Sequence, residues 1–184
     1  RNALVMAYQQ MGDFGRANTQ LKLALELQPN DSETHTALIQ CYEKTDNRQG
    51  VIDQILSAVQ VRRRDIQLYK DLADRLQGNP SREERAITSI VEVLPNETES
   101  HTMVAEIRQR QGRWDDAIEH WRRVAELRAL EPTGLLKLAD AQLHQGYWDD
   151  ARQSLTRLTS KSWPQRFGDV HAEARAKWNK LDQK

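Results

Sequence analysis

The sequence predicts an all-α protein, an α-solenoid of stacked helix-turn-helix units closed by a C-terminal helix. Three observations carry that reading. Gln111-Gly112-Arg113-Trp114-Asp115-Asp116-Ala117 returns 34 residues later as Gln145-Gly146-Tyr147-Trp148-Asp149-Asp150-Ala151, identical at six of seven positions. A second echo, Pro29-Asn30-Asp31-Ser32-Glu33-Thr34-His35-Thr36 against Pro95-Asn96-Glu97-Thr98-Glu99-Ser100-His101-Thr102, is offset by 66, which is one unit of 34 and one of 32. A period of that size is the mark of a stacked repeat, in which no unit buries its apolar face alone. Within each unit the apolar residues fall at helical rather than alternating spacing.

The units follow in order. Residues 1–31 place Leu4, Val5 and Tyr8 on a first helix, Gly12 in the turn, and Ala17, Leu21, Ala24 and Leu25 on a second helix. Pro29 ends the unit, where a helix must stop and no amide donor is needed. Residues 32–65 repeat the pattern with Leu38, Tyr42, Ile55 and Ala58, and Arg62-Arg63-Arg64 stands at the boundary where a proline is expected. Residues 66–97 carry Tyr69, Leu72, Ala73 and Leu76 on a first helix, then lose two residues near Gly78-Asn79-Pro80. Residues 98–131 and 132–162 complete the array, with Pro95 and Pro132 near their starts. Asn30 with Glu33 and Asn96 with Glu99 have capping-box-like spacing, and Ser81 with Glu84 matches the box itself. Residues 163–184 form a linker and a capping helix: Val170, Ala174, Trp178 and Leu181 share one face, and Asp169 is its N-cap. Ala17, Ala24, Ala58, Ala117 and Ala151 are small where neighbouring helices must approach.

These residues resemble the tetratricopeptide repeat, a degenerate 34-residue helix-turn-helix family. The match runs through Leu38, Tyr42, Ile55 and Ala58 in the second unit, and Tyr69, Leu72, Ala73 and Leu76 in the third. In the fourth it runs through His101, Val104, Ala105, Gly112, Trp114, Ala117 and Trp121. The fifth gives Leu135, Leu138, Ala139, Gly146, Trp148, Ala151 and Leu155, so the resemblance covers about residues 1–162. It implies a right-handed superhelix and a protein-interaction scaffold whose stacked first helices hold a peptide or partner helix in a concave groove.

Each unit would set its equivalent side chain one step along that groove. The position two residues after Leu38, Leu72, Val104 and Leu138 is Gln40, Asp74, Glu106 and Asp140, so three successive acids share a column. Lys70, Asp71, Arg110 and Lys137 flank it. The expected partner is a protein or peptide with a basic or mixed-charge segment. The Asn residues on which the family's carboxylate clamp depends are missing.

Composition narrows the other classes. Lys+Arg and Asp+Glu are 27 each, and the halves balance nearly as well, so no one-signed surface suggests nucleic acid. Local excesses are modest: a net +5 from Arg152 to Lys184 and a net −5 from Asp65 to Glu106. No apolar run approaches the ~20 residues that span a bilayer. One cysteine, Cys41, excludes a disulfide framework and leans the reading toward a reducing, cytoplasmic setting. No nucleophile, base or metal set has usable spacing, so neither catalysis nor a cofactor nor a metal is expected. His35 and His101 occupy the large packing position of their first helices, and Trp114, Trp121 and Trp148 read as packing residues.

Two further readings stay open. The chain is not initiated by Met and residue 1 falls inside a unit, which fits a regulatory or positioning segment of a larger enzyme. Self-assembly is the other: Leu4, Val5 and Tyr8 form an apolar stripe, part of which would face a preceding helix, so this edge is expected to continue into further repeats or dock on a second copy.

Overall fold

A computed structural model describes residues 2–181. Among them the chain forms α1 (Asn2–Gln10), α2 (Phe14–Leu27), α3 (Ser32–Lys44), α4 (Arg48–Val61), α5 (Ile66–Arg75) and α6 (Pro80–Val93). There follow α7 (Thr98–Arg110), α8 (Trp114–Leu127), α9 (Thr133–Gln145), α10 (Trp148–Thr159), a 3-10 turn at Gln165–Phe167, and α11 (Val170–Leu181). No strand is present among the described residues. The packing separates α1–α6 from α7–α11 as two compact bodies. Inside each body, every helix packs on the one before it in the chain.

The turn inside each helix pair has one recurrent backbone demand. Gly12, Gly78, Gly112 and Gly146 have φ of +73°, +92°, +74° and +75°, and the equivalent place in the second pair is taken by Asp46 at +53°. This left-handed conformation brings a Cβ close to the following carbonyl, which costs a side-chain-bearing residue roughly 1–2 kcal/mol; Asp tolerates it better than most.

A second recurrent device closes the link between pairs. Before α3, α5 and α7 a carbonyl of the link would otherwise be stranded, and the side chain six residues later turns back to it. His35 Nε2 lies 2.8 Å from the Pro29 oxygen, Tyr69 Oη donates to Arg63 O at 3.0 Å, and His101 Nε2 lies 2.9 Å from Pro95 O. His35 and His101 are buried packing residues whose polar atoms are used, which is why they can sit in helix interiors.

In the body of α1–α6, Val5, Ala17, Leu21, Leu38 and Cys41 form one core, joined by the half-buried Tyr8, Phe14 and Tyr42. The N-terminal stripe therefore divides: Val5 is buried, Tyr8 half-buried and Leu4 exposed. In the body of α7–α11, Ala117, Trp121 and Val124 pack with Leu138 and Ala141, and Trp114 stacks on His144 with ring centroids 3.7 Å apart. Gly134 marks the tightest approach, since a Cβ there would meet the Ala125 backbone nitrogen at 2.7 Å. Helix α11 lays Val170, Ala174 and Leu181 on Leu155 and Leu158. Asp169 caps it by accepting from Ala172 N at 2.8 Å, and Trp163 Nε1 donates to Leu158 O at 2.7 Å.

The other caps differ from the expected ones. Asp31, not Asn30, caps α3 by accepting from Glu33 N at 3.3 Å, and Glu97 precedes α7 without a side-chain cap bond. Ser81 is not the cap of α6: Pro80 already takes the first helical position and Asn79 accepts from Arg82 N at 3.3 Å. Proline suits that position, where its missing amide hydrogen is not needed.

Two stability experiments follow from this geometry. Gly112→Ala is expected to cost about 1–2 kcal/mol, although no atom lies within 4 Å of the added methyl, whereas Asp46→Gly is expected to be neutral or to stabilise by up to about 1 kcal/mol. Urea unfolding followed by circular dichroism measures both, and a Gly112→Ala chain as stable as the parent contradicts the account. The second concerns protons. With His101 Nε2 donating to Pro95 O, its Nδ1 must accept, so the 3.0 Å contact is a donation from His120 Nδ1–H. Burial, then His101 and the Arg108 charge, push the His120 pKa down from 6.5 to about 4. The unfolded chain therefore takes up the proton first, so this stabilisation is complete above pH ~6.5 and is lost as pH falls toward ~4. Allowing for the ring's partial exposure, the loss is roughly 1–2 kcal/mol. His120→Gln, which copies the Gln54 that faces His35, should flatten stability across that window; an unchanged pH profile would refute the assignment.

Candidate functional site

A residue two positions beyond a buried one on a helix lies roughly 200° around the axis and faces away from the core. The anchors Leu38, Leu72, Val104 and Leu138 are all buried. Their column partners Gln40, Asp74 and Glu106 are exposed and Asp140 is half-exposed, as this rotation requires. In the body of α1–α6, Gln40 lies on α3, and Lys70, Asp71 and Asp74 on α5. In the body of α7–α11, Glu106 and Arg110 lie one turn apart on α7, and Lys137 and Asp140 three residues apart on α9.

The acids are not equivalent. Asp71 accepts from Gln67 Nε2 at 2.6 Å on its own helix. Asp74 lines a shallow depression with Tyr42, Arg48 and Arg75, where Arg75 bridges to Glu43 and Arg48 donates to the Arg75 carbonyl at 2.7 Å. Glu106 and Lys137 are exposed. Asp140 is engaged: the Lys177 ammonium of α11 lies 2.6 Å from it and 3.4 Å from Glu173. Burial works against the Lys177 charge, but the hydrogen bond and charge of Asp140, joined by Glu173, outweigh it and hold the pKa above the ordinary lysine value.

Sequence reasoning missed Lys177, because the segment after residue 162 has no repeat template against which to place it. A lysine one turn before the stripe residue Leu181 was the only available signal. It also missed the His101–His120 pair, visible only as two histidines 19 residues apart, the spacing that also relates His35 to Gln54. Among the described residues no group of three or more His, Cys, Asp or Glu side chains could hold a metal ion. No helix among them is long and apolar enough to cross a membrane.

Residues 103–166 match the sequence model of the tetratricopeptide repeat family. That segment carries the family's pattern, and the chain has the helix-pair fold of a tetratricopeptide-repeat array. No curated protein sequence matches it. Solved tetratricopeptide proteins do. The crystal structure of MamA aligns with a TM-score of 0.52 at 17% identity, over 97% of this chain and 96% of that one. YrrB, described as a TPR protein with an unusual peptide-binding site, aligns with a TM-score of 0.55 at 15% identity, over 95% of this chain and 88% of that one. A thermophilic TPR protein of Thermus thermophilus gives 0.51 at 16% identity, over 96% of both chains. At these identities the likeness is one of fold. Tetratricopeptide folds serve in general as protein-interaction scaffolds, and this array has their helix pairs throughout.

Proposed function

We propose that this array of helix pairs is a protein-interaction scaffold whose first helices hold a peptide or partner helix, with Gln40 and Asp74 as specificity positions beside Lys70 and Asp71 in the body of α1–α6, and Glu106 and Asp140 beside Arg110 and Lys137 in the body of α7–α11. The observation that carries the reading is the contact between Asp140 and Lys177. There an acid of the column accepts a lysine from a helix that follows the array, at 2.6 Å and with the lysine side chain only 14% exposed. A partner segment bearing lysine or arginine at helical spacing would meet Asp74 in the first body, or Glu106 in the second, by the same chemistry. Such contacts at an exposed face add specificity and weaken with salt.

The test is fluorescence anisotropy with a labelled Lys-rich helical peptide. Asp74→Lys with Glu106→Lys should weaken binding by about tenfold at low salt and flatten its salt dependence. Binding unchanged by the two reversals removes the column from the reading.

A second reading, docking of one copy on another through α1, is favoured by Leu4, Met6 and Met11, which are 44%, 59% and 68% exposed. Leu4 and Met11, seven residues apart, lie on one side of this short segment with Met6 on the other, and exposed apolar side chains of this kind favour association. Sedimentation velocity across a concentration series should show a dimer that Leu4→Glu with Met6→Glu abolishes; a monomer at every concentration ends this reading.

A further inference from the structure

The third helix pair departs from the others in a way that opens a groove. In the second and fourth pairs the residue facing the buried histidine is large and polar, Gln54 against His35 and His120 against His101. The corresponding residue on α6 is Ala86, and Tyr69 takes the histidine's place. The space that a longer side chain would fill is left as a groove of about 570 Å³ lined by α4, α5 and α6.

Its construction is regular. One wall is Leu56, Val59 and Gln60 of α4, continued by Arg63 just past the helix end. The other is Arg82, Arg85, Ala86 and Ser89 of α6, with the same i, i+3, i+4, i+7 spacing. The floor is Tyr69, Leu72 and Leu76 of α5. Each wall therefore runs two helical turns, roughly 10 Å.

Charge selects the occupant. Three of the lining residues are arginines and none is acidic, although the surrounding stretch from Asp65 to Glu106 carries a net −5. Arg63, Arg82 and Arg85 are exposed, and among the described residues none of their guanidinium groups makes a hydrogen bond or ion pair. An apolar floor two turns long, bordered by unpaired guanidiniums, fits a helix that presents apolar residues at i, i+3 and i+7 with carboxylates on either side. We propose that this groove binds an acidic amphipathic helix of a protein partner. It lies apart from the acid column and selects the opposite charge, so it adds a second binding specificity to the one proposed above.

The experiment uses the whole chain and a labelled synthetic helical peptide of about 15 residues, with leucines at i, i+3 and i+7 and glutamates beside them. Versions with Glu replaced by Lys, or Leu by Ser, are the controls. The acidic peptide should bind with salt-sensitive affinity and both controls should bind about tenfold more weakly. Arg82→Glu with Arg85→Glu, and separately Leu56→Asp, should each cost about tenfold in affinity for the acidic peptide with the circular dichroism spectrum unchanged. The side chains of Leu56, Arg82 and Arg85 are all at the surface, so these variants retain the core. Equal binding of the acidic and Lys peptides, or affinity unmoved by both variants, overturns the proposal. So does binding of anionic lipid vesicles that the arginine reversals abolish while the peptide fails to bind, and so does self-association that Leu56→Asp alone dissolves.

Discussion

A pair of antiparallel helices has more apolar surface than it can cover by itself, and everything in this molecule follows from that deficit. Each pair must lean on a neighbour, and it can do so only where side chains are small enough for backbones to come close. Ala17, Ala117 and Ala151 are fully buried at one such position, five residues past the turn glycine. Gly134 against the Ala125 backbone is the extreme case, where not even a methyl fits. Burying a Leu-sized side chain is worth roughly 1.5–3 kcal/mol, so the stack is held mainly by area, and polar groups serve to tie its loops. At the C-terminal side, α11 supplies that cover for α10 with Val170, Ala174 and Leu181.

The loop ties obey the same economy. Pro29 and Pro95 end a helix by removing a donor, but each leaves its carbonyl needing a partner away from water. The first helix returns a ring nitrogen to it from six residues on, and at Arg63 a tyrosine hydroxyl does the same task. This explains why residue types that look chemically active sit deep in a structure that uses them for packing. The His101–His120 contact arises where the second helix also brings an imidazole, and burial makes His120 proton-sensitive.

Much of the architecture was legible in the residues because a repeat writes its packing several times over. Helix pairs, turn glycines, the buried histidines and the face of α11 could each be read from spacing. The caps were less legible: Asn30-Asp31 and Asn96-Glu97 put two polar residues side by side, and only backbone geometry decides which one closes the helix. The candidate site was readable as a column of positions, since rotation about a helix axis is arithmetic, but Lys177 on Asp140 was not, because it comes from outside the repeat. The groove beside α5 was hidden for a different reason. It results from what Ala86 lacks relative to Gln54 and His120, and an alanine on a helix carries no sign of the side chain it replaces.

The bonds between pairs also have a limited reach along the chain. Gln9 to Cys41 spans 32 residues, Tyr147 to Asp115 spans 32, and Lys177 to Asp140 spans 37. Each distance is about one repeat, so within each body a helix pair completes its contacts once the next pair has been made. A chain built this way has little loop-closure entropy to overcome and suits rapid folding. During synthesis it can condense pair by pair as it leaves the ribosome, each new pair using its predecessor as a template, without waiting for a distant segment to arrive.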